Sequence, residues 1–168
     1  VKSFVDELAR TRIGGTYNQY TGSARRRPAR YVLVGEAAGD RGARVSGLPF
    51  TSERQLTGAG PAEATATIVH RVLAELGVEG EVLLWNVVPT HPGTAGTNRR
   101  PTNAEVRAAM PFLREILRGR TPLAVGRLAH GVLGGRYIRH PSHGGSAAFR
   151  EGLLLSIRPT CVRVRSSS

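Results

Sequence analysis

Cysteine is almost missing from this chain. Its 168 residues include a single one, Cys161, and a lone thiol excludes an internal disulfide, a zinc cluster and a cysteine-ligated iron–sulfur site. Lysine is as scarce, with Lys2 the only one. No long uninterrupted apolar run and no basic amphipathic helix stands out, so a membrane is not an expected partner. The P-loop, the complete dinucleotide fingerprint and the Gly-x-Ser-x-Gly elbow of α/β hydrolases are absent, and no internal repeat or low-complexity tract interrupts the pattern. No secretory signal precedes Val1, and a cytoplasmic location is expected.

Positive charge is what the chain has in excess. Lysine plus arginine total 24 against 12 aspartates plus glutamates, and arginine supplies nearly all of the surplus. Its planar fork suits phosphate, which makes nucleic acid the expected acidic partner. A GC-rich genome would produce the same arginine bias by composition alone. With 40% apolar residues, the length suits one domain with a real core and is too short for two. The expected organisation is a single domain over 1–168, with an N-terminal helix and basic loop in 1–30 and an α/β core in 31–158.

Ser3 to Arg10 reads as a short helix, followed by a polar loop carrying Arg25-Arg26-Arg27. Four compact apolar runs then end at turn residues: Tyr31 to Val34 before Gly35, Val82 to Trp85 before Asn86, Leu123 to Val125 before Gly126, and Tyr137-Ile138 before Arg139 and His140. Helical patterns separate them, over Pro61 to Leu76 with Pro61 in the first turn and Gly77 as the stop, then Asn103 to Leu117 and Arg127 to Leu133. A last helix is expected from Ser146 to about Leu155. Wholly apolar strands alternating with helices indicate a three-layer α/β/α sandwich around a four-stranded parallel sheet. In such a sheet ligands bind at the carboxyl ends of the strands, so Gly35-Glu36, Asn86 and His140 share one rim.

Each rim segment has chemistry. Gly35-Glu36-Ala37-Ala38-Gly39-Asp40 has glycines that let backbone approach a ligand closely. Phe50, in the polar stretch from Ser46 to Glu53, is either a stacking platform or a loop anchor tucked into the core. Asn86 either caps the next turn or reads the polar edge of a base. The long polar loop from Thr90 to Pro101 carries His91, Asn98, Arg99 and Arg100, and loops of that length on a rim are more often functional than connective. In Arg139-His140-Pro141-Ser142-His143-Gly144-Gly145-Ser146 a histidine and several backbone N–H groups converge on one anionic point, an arrangement that suits a leaving group. His70 and His130 fall within helical patterns and read as structural.

The order of these segments resembles the uracil-DNA glycosylase superfamily: Gly35-Glu36-Ala37-Ala38-Gly39 as its first motif, Gly47-Leu48-Pro49-Phe50 around its stacking phenylalanine, Leu84-Trp85-Asn86 around its base-reading asparagine, and His140-Pro141-Ser142 as its second motif. The resemblance spans about Tyr31 to Leu155. It is greatest to the branch with a Gly-Glu-x-Pro-Gly motif, which usually has proline where Ala38 stands and in many members a four-cysteine iron–sulfur cluster. The best-known branch has a water-activating aspartate where Ala37 stands.

The resemblance implies a hydrolytic DNA glycosylase that rotates a base out of DNA and leaves an abasic site. Gly35, Ala37, Phe50 and Asn86 would hold the base, and His140 would stabilise the departing anion. Glu36 would orient the water, with Asp40 and Glu53 as alternatives. Arg99, Arg100 and Arg139 would hold phosphates, while Ser52, Ser142, His143, Gly144, Gly145 and Ser146 would meet the DNA. No metal or organic cofactor is implied. A monomer is expected, bacterial in type and nucleoid-associated when bound to DNA containing uracil or a modified base. Two other readings are the same fold acting on another modified base and a DNA lesion-binding module without catalysis.

Overall fold

The computed structural model describes residues 28–157. The expected helix at Ser3 to Arg10, the basic run at Arg25 to Arg27, and Cys161 lie outside the described residues. Four strands, β1 (Tyr31–Ala37), β2 (Val82–Val88), β3 (Thr121–Val125) and β4 (Tyr137–Ile138), pair in the order β2-β1-β3-β4. All three pairings are parallel. Between and after them run α1 (Ala43–Ser46), α2 (Glu53–Thr57), α3 (Ala64–Glu75), α4 (Asn103–Leu117), α5 (Gly126–Leu133) and α6 (Ser146–Ser156). Among the described residues no helix is long and apolar enough to cross a membrane.

Successive strand residues point to opposite faces, so the apolar runs feed two separate cores. Val32, Val34, Leu83, Trp85 and Ala124 pack on one face with Ala109, Leu113 and Ile116 of α4 and Ala129 of α5. Tyr31, Leu33, Leu84, Leu123 and Val125 pack on the other with Val69, Val72 and Leu73 of α3 and Phe149 and Leu153 of α6. This is the expected three-layer sandwich. The chain leaves β1 toward α3 on one face and leaves β3 toward α5 on the other, so the crevice at the strand carboxyl ends opens between β1 and β3.

β1 and β2 run past the apolar runs, through Ala37 and Val88, so Gly35, Glu36 and Asn86, expected in turns, lie within strands; the helices depart from expectation in two places. The helix expected from Pro61 begins at Ala64, because the Pro61 carbonyl accepts the Arg54 N–H of α2 at 3.4 Å instead of serving the first turn of α3. The stretch from Ser46 to Glu53, read as a polar loop, joins two short helices, α1 and α2, each closed by a glycine in the left-handed region. α4 opens with a capping box in which Thr102 and Glu105 satisfy each other's backbone N–H groups.

Leu33 lies on the central strand with no solvent exposure. Leu33→Ala is expected to lower stability by about 2–5 kcal/mol, measured by denaturant unfolding. A change below about 0.5 kcal/mol would contradict the two-sided burial of β1.

Candidate functional site

Gly35 and Asn86 are register partners on β1 and β2. A Cβ at Gly35 would lie 2.8 Å from Asn86 Oδ1 and 3.1 Å from Phe50 Cε2, closer than real side chains approach. The glycine is therefore required by what sits above it. Asn86 is 3% exposed, and its side chain makes no hydrogen bond among the described residues. Its amide borders a recess together with Phe50, Ala37, Glu36 and His140.

Phe50 is anchored in the core, as one of its two expected roles requires. Its ring belongs to the buried cluster beneath the sheet and also walls the recess. Its backbone has φ of 51°, a conformation that costs a bulky residue about 1–3 kcal/mol. The loop around it is braced from behind: Thr51 Oγ1 donates to the Pro49 carbonyl at 3.0 Å and lies 3.1 Å from His70 Nε2. His70 thus has the structural role expected of it, and burial pulls its pKa below the usual histidine value.

Among the described residues the only other non-glycine with positive φ is His143, also at 51°. It belongs to the corner after β4, where a single chain of hydrogen bonds decides the tautomer of His140. The Ser142 backbone N–H must donate, and it reaches His140 Nδ1 at 3.3 Å. Nδ1 is therefore the acceptor, and it also takes the Ser142 hydroxyl at 2.8 Å. His143 Nδ1 in turn lies 3.1 Å from Ser142 Oγ and donates to it. The neutral His140 ring consequently carries its proton on Nε2. Burial, and secondarily the neighbouring His143, hold the His140 pKa below the usual value, so near pH 7 the ring is a neutral Nε2–H donor.

The recess opens into a cavity of about 720 Å³. Glu36, Ala37, Gly39, Glu63 and His140 line both spaces. Glu36 faces Arg100, with Oε1 4.0 Å from Nε. Asp40 lines the outer cavity only and is engaged: its carboxylate accepts Gly96 N–H at 2.9 Å and pairs with Arg44 at 2.7 Å. The Gly96 bond, with Arg44 adding to it, holds the Asp40 pKa down against the opposing effect of burial. The Asp40 backbone N–H donates to Asn98 Oδ1 at 3.1 Å, and His91 Nδ1 donates to the Ala38 carbonyl at 2.7 Å. The Thr90 to Pro101 loop is thereby fastened over the turn that follows β1.

Several expected contacts are placed otherwise. Ser52 is fully buried as the N-cap of α2, bonded to Gln55, so it cannot meet DNA. Gly145 is buried too, its N–H closing the corner onto the Ser142 carbonyl at 3.1 Å. Ser146 starts α6 and accepts from Arg71 Nη2 at 3.0 Å. Arg99 forms a two-pronged pair with Glu105 at 2.9 and 2.6 Å, fixing the loop to the cap of α4. That pair, with the Thr102 N–H, pulls the Glu105 pKa to about 2. His143, Gly144, Arg139 and Arg100 are exposed. Glu53 flanks α2 and lines neither space. Sequence reasoning missed Glu63 and Thr65, which enter the recess from the start of α3; a helix start shifted by three residues hid them. Among the described residues no group of three histidine, cysteine, aspartate or glutamate side chains could hold a metal ion.

The family model described as the uracil DNA glycosylase superfamily matches residues 24–159, a span that contains every rim segment. No curated protein matches the chain.

The depressed pKa values of His140 and His70 set a pH dependence of stability. Both groups bind fewer protons folded than unfolded, so their contribution is present above the unfolded value of 6.5 and is lost as pH falls through the folded values. Thermal unfolding followed from about pH 7.5 to about pH 5 is expected to show falling stability, with a shallower fall in His140→Gln. An equally steep fall in that variant would show that His140 is not desolvated.

Proposed function

Since the chain belongs to the uracil DNA glycosylase superfamily, we propose that it excises uracil or a related modified base from DNA by hydrolysing the N-glycosidic bond, leaving an abasic site. The observation that carries this reading is Asn86: a buried residue toward the carboxyl end of β2, whose amide makes no side-chain hydrogen bond among the described residues and borders a recess walled by an aromatic ring. Such an amide offers an acceptor and donors together, as the edge of a base requires. A base inside a duplex cannot reach it, so the nucleotide rotates out. The cost is a few kcal/mol, which stacking on Phe50 and pairing with Asn86 return at about 1–3 kcal/mol each.

Cleavage places negative charge on the base and positive charge on the sugar. His140 Nε2–H donates to the base oxygen that becomes anionic, and it does so as a neutral imidazole because Ser142 occupies Nδ1. The donor is oriented before the charge appears, which is where electrostatic stabilisation is most effective. Glu36, immediately after the buried part of β1, orients the water and accepts its proton. Asp40 acts at one remove: bound to Gly96 and Arg44, it fixes the loop rather than the water. Arg100 and Arg139 are exposed and would take phosphates, while His143 and Gly144 at the strained corner would press into the space that the base leaves.

One feature favours a second reading of the substrate. Ala37 lines the recess where a larger side chain would narrow it, so a bulkier modified base competes with uracil.

Oligonucleotides carrying uracil or other modified bases, in single and double strands, are expected to acquire alkali-labile sites on incubation with the protein. His140→Ala should slow release about a hundredfold, and Asn86→Ala about tenfold to a hundredfold. Binding to uracil DNA with base release at the no-enzyme level across the whole panel would instead identify a lesion-binding module.

A further inference from the structure

Glu63 is used by neither the base contacts nor the water, yet it stands at the most consequential point of the site. A base held by Phe50 and Asn86 occupies the inner recess, and its sugar and phosphates remain in the outer cavity. The bond between them crosses the junction. Of the five residues common to both spaces, three are ionisable: Glu36, Glu63 and His140.

Three observations separate Glu63 from an ordinary helix-start glutamate. It occupies the N-cap position of α3 but makes no side-chain cap hydrogen bond. Its carboxylate lies against the turn after β1, where a Cβ on Gly39 would come within 2.9 Å of Oε1 and 3.1 Å of Oε2. The φ of Gly39 is not in the left-handed region, so a side chain there would meet no backbone strain but would push the Glu63 carboxylate aside. Finally, the Glu63 carboxylate makes no hydrogen bond or ion pair among the described residues; only the backbone carbonyl of Glu63 is engaged, accepting from Thr67. Asp40, Glu36 and Glu105 each face an arginine.

We propose that Glu63 is a further catalytic carboxylate, placed beside the sugar so that its uncompensated negative charge is answered by the positive charge that develops at C1′. This rests on the glycosylase reading above. The C1′–N bond breaks with its electron pair on the base, water adds its oxygen to C1′, and the proton shed by the water passes to Glu36 and then to solvent. The base anion takes a proton from solvent, so the net change is hydrolysis. Glu63 carries no proton in this sequence and acts by charge alone. Burial raises its pKa, as expected of a carboxylate that lacks a counter-charge until the reaction supplies one.

The test uses the whole chain and two single-stranded DNAs. One carries a pyrrolidine in place of the sugar, cationic at neutral pH, and the other a neutral tetrahydrofuran. The wild-type protein should bind the cationic site more tightly, and Glu63→Gln should reduce that preference about tenfold while leaving the tetrahydrofuran affinity within about twofold. Its melting temperature near pH 7.5 should be equal or higher, because a desolvated charge is removed; a purely structural glutamate would lower it. If Glu63→Gln does not fold, Glu63→Asp, which keeps the charge, decides in its place and should retain a preference for the cationic site. A wild-type protein without the preference, a variant that keeps it in full, or a variant that loses both affinities equally overturns the assignment. Base release by the wild-type protein is measured in parallel. A Glu63-dependent preference without release would sink the glycosylase reading alone, and release without the preference would sink the role of Glu63 alone.

Discussion

The missing side chain at Gly35 is the constraint on which the site depends. β1 is flanked on both sides by parallel partners, so its carboxyl end lies inside the rim and not at its edge. Any Cβ there would displace Asn86 or Phe50. With glycine, a strand-end amide and an aromatic ring from a distant loop meet over bare backbone, and a recess forms where another residue would have filled it. The sheet supplies the rigidity. Its residues alternate between two packed cores, so the end of β1 cannot shift without disturbing both.

Charge around this recess is divided between groups already satisfied and groups left open. Arg99 with Glu105, and Arg44 with Asp40, hold loops in place. The side chains of Asn86 and Glu63 remain without hydrogen-bond or ion-pair partners among the described residues. Leaving polar groups unpaired costs stability, and the strained backbones at Phe50 and His143 add to that cost. A fold with two well-filled cores can bear it, and the uncompensated groups gather around one recess. The hydrogen-bond chain through Ser142 belongs to the same design, since it decides which nitrogen of His140 carries the proton before any ligand arrives.

The rim segments were legible one by one and the relations between them were not. Asn86 and His140 could be placed because each directly follows an apolar run, and parallel strands bring their carboxyl ends together. Ser52 and Arg99 look like surface polar residues in the sequence. One became a buried cap and the other the partner of a glutamate six positions away. Capping and pairing depend on where a loop finally lies, and loop paths are not periodic. Glu63 was missed for a related reason: Pro61 suggests a helix start, but its carbonyl is taken by Arg54 of a neighbouring short helix, which moves the true start and turns Glu63 inward.

The amino-acid sequence by itself determined the class of fold and the four segments that meet on its rim, because apolar period and strand-end turn residues are local properties of the chain. The tertiary structure alone decided which carboxylate is bound and which is free, which tautomer His140 adopts, and that Gly35 and Gly39 are glycines to make room for other side chains. Those outcomes turn on distances of a few ångströms, between residues far apart in sequence for the carboxylates and glycines and within one folded corner for His140, and only the packed fold sets them.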